Sequence, residues 1–244
     1  MAPTSLAGAL LLQHMEALAA VTLSQLVRPG APVVYGAFTS NVDMKSGSPA
    51  FGTPEAMKGA LASGQLARHV GLPWRSSGSS SSNAVDAQAG YETMANTYGA
   101  LLGGANVILH AAGWQEGGLT ASFEKFIVDV EMCQVIADWF RPVAVDDDEL
   151  ALDAIKEVGP GGHFFGAAHT LERYQTAFYE PLVFERTNFE QWSEQGSLRA
   201  DERAEAVWRE AIEDYVQPEL DDAIAEEMRA FADRRTAEGG AQPD

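Results

Sequence analysis

The chain has 244 residues, of which 46% are hydrophobic and 21% charged, so it is long and apolar enough to bury a core. Its 35 acidic and 16 basic residues give a formal net charge of -19, which disfavours nucleic acid and anionic membrane surfaces as partners. The single cysteine, Cys133, excludes an internal disulfide and a multi-cysteine metal site, and it fits a reducing, cytoplasmic setting.

The N-terminal part of the chain predicts a helix, a strand and a second helix. Residues 4–26 have apolar side chains at helical spacing, and the polar residues among them indicate a buried helix instead of a signal peptide or a membrane span. Residues 33–38 are short and apolar, as in a strand that is buried on both faces. Thr53 and Pro54 then supply an N-cap and a first-turn proline, which predicts a helix over residues 54–70.

Two more pairs of a strand and a helix follow. Residues 72–75 predict a short strand, and helical spacing returns over residues 86–102. Residues 106–110 are the clearest predicted strand of the chain. A helix over residues 122–140 is then expected to bury one apolar face, formed by Phe123, Phe126, Ile127, Val130, Cys133 and Ala137.

Strands that alternate with helices at this spacing predict an α/β fold with a parallel sheet and right-handed crossovers. Three strands are clear and a fourth is expected near residues 163–168, whereas a complete (β/α)8 barrel has eight strands in about 250 residues. Residues 1–145 are therefore predicted to form part of such a barrel. Residues 146–244, with amphipathic helices over 147–158, 200–215 and 220–235, are predicted to form a helical extension that completes and covers it.

The loop after the clearest strand is the richest candidate site, because ligands of parallel sheets bind beyond the carboxyl ends of the strands. His110 ends this strand, and Trp114 and Glu116 follow among glycines. A quaternary ammonium has no proton to donate. Such a cation would be attracted by cation–π contact with Trp114 or with Tyr35 of the first strand, which contributes about 0.5–2 kcal/mol per ring. Glu116 would balance its charge. A tryptophan in a loop can equally fill the core, and that alternative stays open.

The second candidate loop is the serine run of residues 76–82, which is followed by Asn83, Asp86 and Gln88. Its position between a strand and a helix makes an active-site loop at least as plausible as a flexible linker. The sequence has no Gly-x-Ser-x-Gly motif, so a hydrolase with a serine nucleophile is the weakest alternative.

A glycine-rich segment at residues 159–166 contains His163. It lacks the lysine and hydroxyl residue that end a phosphate-binding loop, and His163 and His169 lack the spacing of a zinc site. We therefore expect a tight turn that shapes the mouth of a pocket, and no metal site.

Six segments of the sequence carry a resemblance to one known family. In order and approximate spacing they resemble the C-terminal half of the trimethylamine methyltransferase family, in its members without pyrrolysine. The segments are residues 51–55, 65–73, 86–92, 109–114, 117–125 and 157–164.

The resemblance implies the C-terminal half of a TIM barrel whose pocket holds a methylated amine, from which the Co(I) of a corrinoid protein takes a methyl group. The cobalamin would be carried by that partner protein and not bound tightly by this chain. Pyrrolysine, which some members use to activate trimethylamine, is absent, and the serine run lies where it would fall. The implied substrates are therefore quaternary amines such as glycine betaine, with tertiary amines such as trimethylamine left open.

The candidate residues combine the strand-end argument with the resemblance, which implies that His110 orients the substrate carboxylate. The catalytic candidates are His110, Gln88 and Asp86. The substrate-binding candidates are Tyr35, Trp114, Glu116, Asn83 and His163.

Proteins of this family are about twice as long as this chain. We therefore expect a fragment, a subunit that pairs with a separately encoded N-terminal half, or a homologue that has lost catalysis. The rival to a corrinoid-dependent methyltransferase is a non-catalytic half-barrel that acts by assembly, either as a homo-oligomer or with the missing barrel half.

Overall fold

The computed structural model describes residues 2–240. These residues form two compact units, of which the first ends at Trp208 and the second begins at Arg209. In chain order the elements are α1 (Leu6–Val27), β1 (Tyr35–Gly36), β2 (Asn41–Val42), β3 (Pro49–Ala50), α2 (Pro54–His69), β4 (Trp74–Ser77), α3 (Ala87–Leu102), β5 (Val107–Leu109), β6 (Trp114–Gln115), β7 (Thr120–Ala121), α4 (Phe123–Trp139), α5 (Asp147–Leu150), α6 (Leu152–Val158), α7 (Ala168–Arg173), α8 (Phe189–Glu194), α9 (Ala200–Glu213) and α10 (Asp222–Ala237).

The three predicted strands pair side by side in one parallel sheet. β4 is the central strand, and β1 and β5 lie on its two sides. Tyr35 is paired with Trp74, and Ser77 with Leu109. The predicted parallel sheet is thus confirmed, and because all three strands run the same way, their carboxyl ends lie at one edge.

The two faces of this sheet differ in what covers them. Tyr35 and Trp74 point to one face, are each 1% exposed, and pack with Ala67 of α2. Alternation along the strands puts Val107 and Leu109 on the other face, where they are 47% and 41% exposed. Parallel sheets are ordinarily covered on both faces. Among residues 2–240, the β5 part of this face is therefore left bare, whereas Ser77 of β4 on the same face is buried.

Helix α1 forms as predicted, but it is not buried. Its inner side bonds to α2 and to the sheet, since Gln13 donates to Ser63 of α2 at 3.0 Å and His14 Nδ1 lies 3.0 Å from the hydroxyl of Tyr35 in β1. None of its residues is buried, and Leu23 and Leu26 are 64% and 77% exposed. The prediction of a buried helix is therefore wrong. By length and composition α1 could cross a membrane, a property that signal sequences and core helices of soluble proteins share.

Helix α4 buries a different face from the predicted one. Ile127 is buried as expected, but Phe123 and Phe126 are 60% and 48% exposed. The buried side instead includes Lys125 and Asp129. These two charged side chains can be buried because they pair with each other, as described below, whereas Phe123 stacks on Trp208 at the surface with ring centroids 5.0 Å apart.

A second buried carboxylate of α4 attaches the segment that follows α7. Glu131 is fully buried and accepts hydrogen bonds from the Tyr179 hydroxyl at 2.6 Å and from the backbone N–H groups of Val183 and Phe184. Burial of Tyr179 and its bond to Glu131 raise the pKa of this phenol to about 12. Glu131 thereby joins the first part of the predicted helical extension to the same compact unit as the sheet.

Most predicted helix boundaries are confirmed, but two predictions in the second half are wrong. The helices predicted over 54–70, 86–102, 122–140, 200–215 and 220–235 are found within two residues of these limits. The helix predicted over 147–158 is broken at Ala151, whose φ of 49° lies in the left-handed region, into α5 and α6. No strand is found at residues 163–168, because residues 164–167 form a turn and α7 begins at Ala168.

The close packing of α2 on the end of α3 gives a stability test. A methyl group on Gly64 of α2 would lie 1.9 Å from the Gly103 carbonyl oxygen, whereas one on Gly90 of α3 would meet nothing within 4 Å. We expect Gly64→Ala to lower the free energy of unfolding by about 3 kcal/mol or more because of overpacking. Gly90→Ala should raise it by about 0.5–1 kcal/mol, since alanine favours helices. Urea unfolding of the two variants measures both changes, and equal stabilities would contradict this packing.

Candidate functional site

Three loops meet at the carboxyl edge of the sheet. We call them the β1 loop (residues 37–40), the serine loop (residues 78–83) and the β5 loop (residues 110–119). Backbone hydrogen bonds join the second and third, because Gly78 N donates to Leu109 O at 2.7 Å, Glu116 N to Ser82 O at 2.9 Å and Gly117 N to Ser80 O at 2.9 Å. The serine loop and the β5 loop are therefore one connected surface.

Helix α3 holds the serine loop in a fixed shape. Glu92 Oε2 accepts hydrogen bonds from Ser80 Oγ at 2.9 Å, Ser81 N at 2.6 Å and Ser82 N at 3.1 Å. Asn96 Nδ2 donates to Ser79 O at 2.9 Å. With so many bonds to one helix, the serine run is an ordered loop and not a flexible linker.

His110 and Trp114 form the most prominent pair of side chains at this edge. His110 Nδ1 lies 2.6 Å from Ser77 Oγ, so the imidazole faces the end of β4. The His110 and Trp114 rings are 5.4 Å apart and nearly perpendicular, at 88°. His110 is exposed, and within residues 2–240 its Nε2 has no hydrogen-bond partner. The imidazole therefore has one nitrogen held by the protein and one available to a ligand.

Three other sequence candidates lie around the serine loop, where α3 begins. Asp86 is the N-cap of α3, since its Oδ1 accepts from Ala89 N at 3.0 Å and from Ser82 Oγ at 3.1 Å. The bond from Ala89 N is the main cause that lowers the pKa of Asp86. Gln88 donates to Glu92 at 2.8 Å, and Asn83 is exposed. In this structure Asp86 and Gln88 thus shape the start of α3 and its link to the loop.

The remaining candidates, which differ in how near they lie to His110 and Trp114, are Glu116, Tyr35 and His163. Glu116 belongs to the β5 loop, is exposed, and accepts from the Thr120 hydroxyl at 2.5 Å. Tyr35 lies on the covered face of the sheet, where burial raises its pKa and leaves 1% of the residue exposed. His163 lies in the turn before α7 and packs against Phe165, and no hydrogen bond or ring contact of the described residues links it to the three loops. The structure thus brings His110 and Trp114 into contact and keeps Glu116 on the same loop, but it does not bring Tyr35 or His163 to them.

The enclosed space beside the strand ends is small. A cavity of about 10 Å³ lies between the β1 loop and β4, and Phe38, Phe51, Ser76, Ser77 and Asn96 line it. That volume corresponds to roughly one water molecule. A larger ligand would therefore have to lie outside this cavity, either in the open cleft of about 390 Å³ between α1 and the β1 loop or on the open edge near the exposed imidazole.

Sequence reasoning missed a buried ion pair beneath the β5 loop. Lys125 and Asp129 are 0% and 1% exposed, and the Lys125 ammonium contacts both carboxylate oxygens of Asp129 at 2.5 Å. Lys125 also donates to Thr93 Oγ1 at 2.9 Å, and Asp129 Oδ2 accepts from Gly113 N at 2.9 Å. Burial raises the pKa of Asp129 despite the opposing effect of Lys125. The available signal was a lysine and an aspartate four residues apart on a helix rich in apolar residues.

A parallel sheet with polar loops at its carboxyl edge defines an α/β protein with its candidate ligand site at the strand ends. The family model described as trimethylamine methyltransferase (MTTB) matches residues 1–240, and the chain belongs to that family.

Similar proteins carry methyltransferase names. Glycine betaine methyltransferase of Desulfitobacterium hafniense strain Y51 is 41% identical over 239 residues, which cover 98% of this chain and 50% of that protein. Trimethylamine methyltransferase MttB of Desulfitobacterium hafniense strain DSM 10664 / DCB-2 is 34% identical, over 97% of this chain and 47% of that protein. Trimethylamine methyltransferase MttB1 of Methanosarcina mazei is 32% identical, over 95% and 47% respectively. The chain thus spans about half the length of the curated relatives it matches.

Two neighbouring serines test how the His110 ring is held. Ser77→Ala removes the partner of His110 Nδ1 and should cost about 1 kcal/mol of stability, with broadened His110 ring resonances in NMR spectra. Ser79→Ala is the matched control, because Ser79 Oγ is buried without a partner among the described residues. Ser79→Ala should leave the His110 resonances unchanged and the free energy of unfolding equal or higher. Identical spectra for the two variants would contradict the contact.

Proposed function

We propose that this chain is the amine-binding part of a corrinoid-dependent methyltransferase. Its substrate would be a quaternary or tertiary amine, such as glycine betaine or trimethylamine, and a corrinoid protein would receive the methyl group. The observation that carries the proposal is the His110 and Trp114 pair at the open carboxyl edge of the sheet. The names of the relatives, which include glycine betaine methyltransferase, support the same substrate class.

The chemistry of the pair suits a betaine. A trimethylammonium group is attracted to an aromatic face, with about 0.5–2 kcal/mol per ring, and Trp114 offers a partly exposed indole. The carboxylate of the same molecule needs a hydrogen-bond donor, and the unpaired Nε2 of His110 can supply one when it carries a proton. Glu116 adds negative charge on the same loop, close to where a cation would lie. Asn83, Gln88 and Asp86 would border the ligand from the serine loop side.

The corrinoid would approach from outside the chain. The cavity of about 10 Å³ is far too small to enclose a corrinoid, and His110 is exposed at the sheet edge. When bound on its carrier protein, the corrinoid would supply the Co(I) centre that accepts the methyl group. The residues of this chain would bind the amine, orient its methyl groups towards the open edge and hold its carboxylate. A cytoplasmic setting, where a single cysteine stays reduced, is part of the proposal.

We also propose that residues 1–145 form the C-terminal half of a (β/α)8 barrel, which an N-terminal half completes, and that residues 146–244 form the helical extension. Three parallel strands, with a bare face at Val107 and Leu109 of β5, suit the inner surface of an incomplete barrel. The chain covers about half of each relative, and a segment of the size of the other half could cover this face. The same bare face supports the alternative, in which two copies of a non-catalytic half-barrel cover each other.

Titration calorimetry tests amine binding. Glycine betaine and trimethylamine are titrated into the chain alone and into the chain mixed with the half of glycine betaine methyltransferase that it does not match. We expect binding heat in the mixture. Trp114→Ala should weaken the binding about two- to thirtyfold through the lost ring contact, whereas Trp139→Ala, an exposed ring at the far end of α4, should leave it unchanged.

Two further readouts on the same samples separate the proposal from its rival. Light scattering should show a one-to-one complex of the chain and the added half. Absorbance should show methyl transfer from glycine betaine to cob(I)alamin. A stable dimer of the chain alone, with neither amine binding nor methyl transfer in any mixture, would support the non-catalytic half-barrel and overturn the methyltransferase.

A further inference from the structure

We infer that Asp129 is a positioning residue, which fixes the turn between His110 and Trp114 by accepting a hydrogen bond from Gly113 N. Its importance for amine binding rests on the proposed function, whereas its effect on the turn does not. Within residues 2–240 no hydrogen bond joins Asp129 to His110 or Trp114, so its influence would pass through the backbone of the β5 loop.

The turn at Gly113 is held from two sides by the start of α4. Gly113 is buried and has a φ of 86°, in the left-handed region that favours glycine. Its N–H donates to Asp129 Oδ2 at 2.9 Å, and its carbonyl oxygen accepts from Ser122 N at 3.2 Å. A methyl group on Gly113 would lie 3.3 Å from Phe126 Cβ, so the turn sits close against the helix. The residue that follows the turn is Trp114.

A carboxylate suits this place because it has two oxygens to share. Asp129 accepts hydrogen bonds from the Lys125 ammonium and from the Gly113 N–H at the same time, and Thr93 accepts a further hydrogen bond from Lys125. A buried ion pair adds little stability over a well-packed apolar pair. An apolar pair, however, would leave Gly113 N without an acceptor. The ion pair adds little stability, so its presence is better explained by the acceptor that Asp129 provides for Gly113 N.

The position of the turn decides the geometry of the candidate site. Gly113 precedes Trp114 directly and follows His110 by three residues, and the two rings depend on this backbone for their 5.4 Å separation. Displacements of about 1 Å in a binding site can reduce activity on the order of a hundredfold. Loss of the Gly113 bond is therefore expected to loosen Trp114 against His110 without removing either side chain.

Two double variants separate the acceptor from the ion pair. Lys125→Met with Asp129→Asn removes both charges but keeps an oxygen that can accept from Gly113 N. Lys125→Met with Asp129→Leu removes both charges and the acceptor. Both avoid an unpaired buried charge, so differences between them report on the hydrogen bond. If the leucine variant does not fold, Lys125→Met with Asp129→Ala takes its place.

The measurements are amide hydrogen exchange at Gly113 and the 19F resonance of 5-fluorotryptophan at Trp114, assigned with Trp114→Phe. Relative to the asparagine variant, the leucine variant should exchange the Gly113 N–H at least about tenfold faster, beyond any change in global stability, and should show a shifted or broadened Trp114 resonance. Glycine betaine titrated into the chain with its complementary half should bind about tenfold more weakly to the leucine variant only.

The outcomes separate this inference from the proposed function. Equal exchange at Gly113 and equal Trp114 resonances in the two double variants would overturn the positioning role. Faster exchange and a moved Trp114 resonance in the leucine variant support it, even if no form of the protein, including the unaltered chain, binds glycine betaine. That last result would count against the proposed function alone.

Discussion

The parallel pairing of β4 between β1 and β5 decides where the candidate residues of the sheet and its three loops lie. Because the three strands run in one direction, the loops that follow them emerge at one edge, and residues far apart in the sequence, such as Ser77 and His110, become neighbours at 2.6 Å. The pairing also puts Tyr35 and Trp74 under the helices and Val107 and Leu109 on the uncovered face. If this pairing were absent, neither the site nor the bare face would exist.

Buried carboxylates of α4 tie other parts of the first unit to the sheet. Asp129 holds the turn of the β5 loop, and Glu131 holds the segment around Tyr179 and Val183. Glu92 of α3 does the same for the serine loop, from a partly buried position. In each case a side-chain carboxylate accepts backbone N–H groups that have no partner in a sheet or helix, which gives irregular segments a defined shape.

Most helices and the parallel sheet could be predicted from the sequence, because the helix starts and the apolar strands have local signals. Thr53 and Pro54 mark the start of α2, and its N-cap bond to Ala56 is present at 3.3 Å. The buried face of α4 could not be predicted, since Lys125 and Asp129 are polar until their pairing is known, and only the fold brings Thr93 and Gly113 to them. The left-handed Ala151, which divides the helix predicted over 147–158, has no sequence signal, as alanine favours helices.

At the candidate site, the rule that ligands bind beyond the carboxyl ends of parallel strands led to His110 and Trp114. It could not show that the Tyr35 side chain points to the covered face. One residue of register decides that, and short apolar strands do not reveal it.

The central claim is that a methylated ammonium lies against Trp114 with His110 beside it. Intermolecular nuclear Overhauser effects between the methyl protons of glycine betaine and the protein test this claim most directly, in the chain mixed with the half of glycine betaine methyltransferase that it does not match. We expect contacts from the methyl protons to the indole protons of Trp114 and weaker ones to the His110 ring. Contacts to other parts of the protein, with none to Trp114, would contradict it.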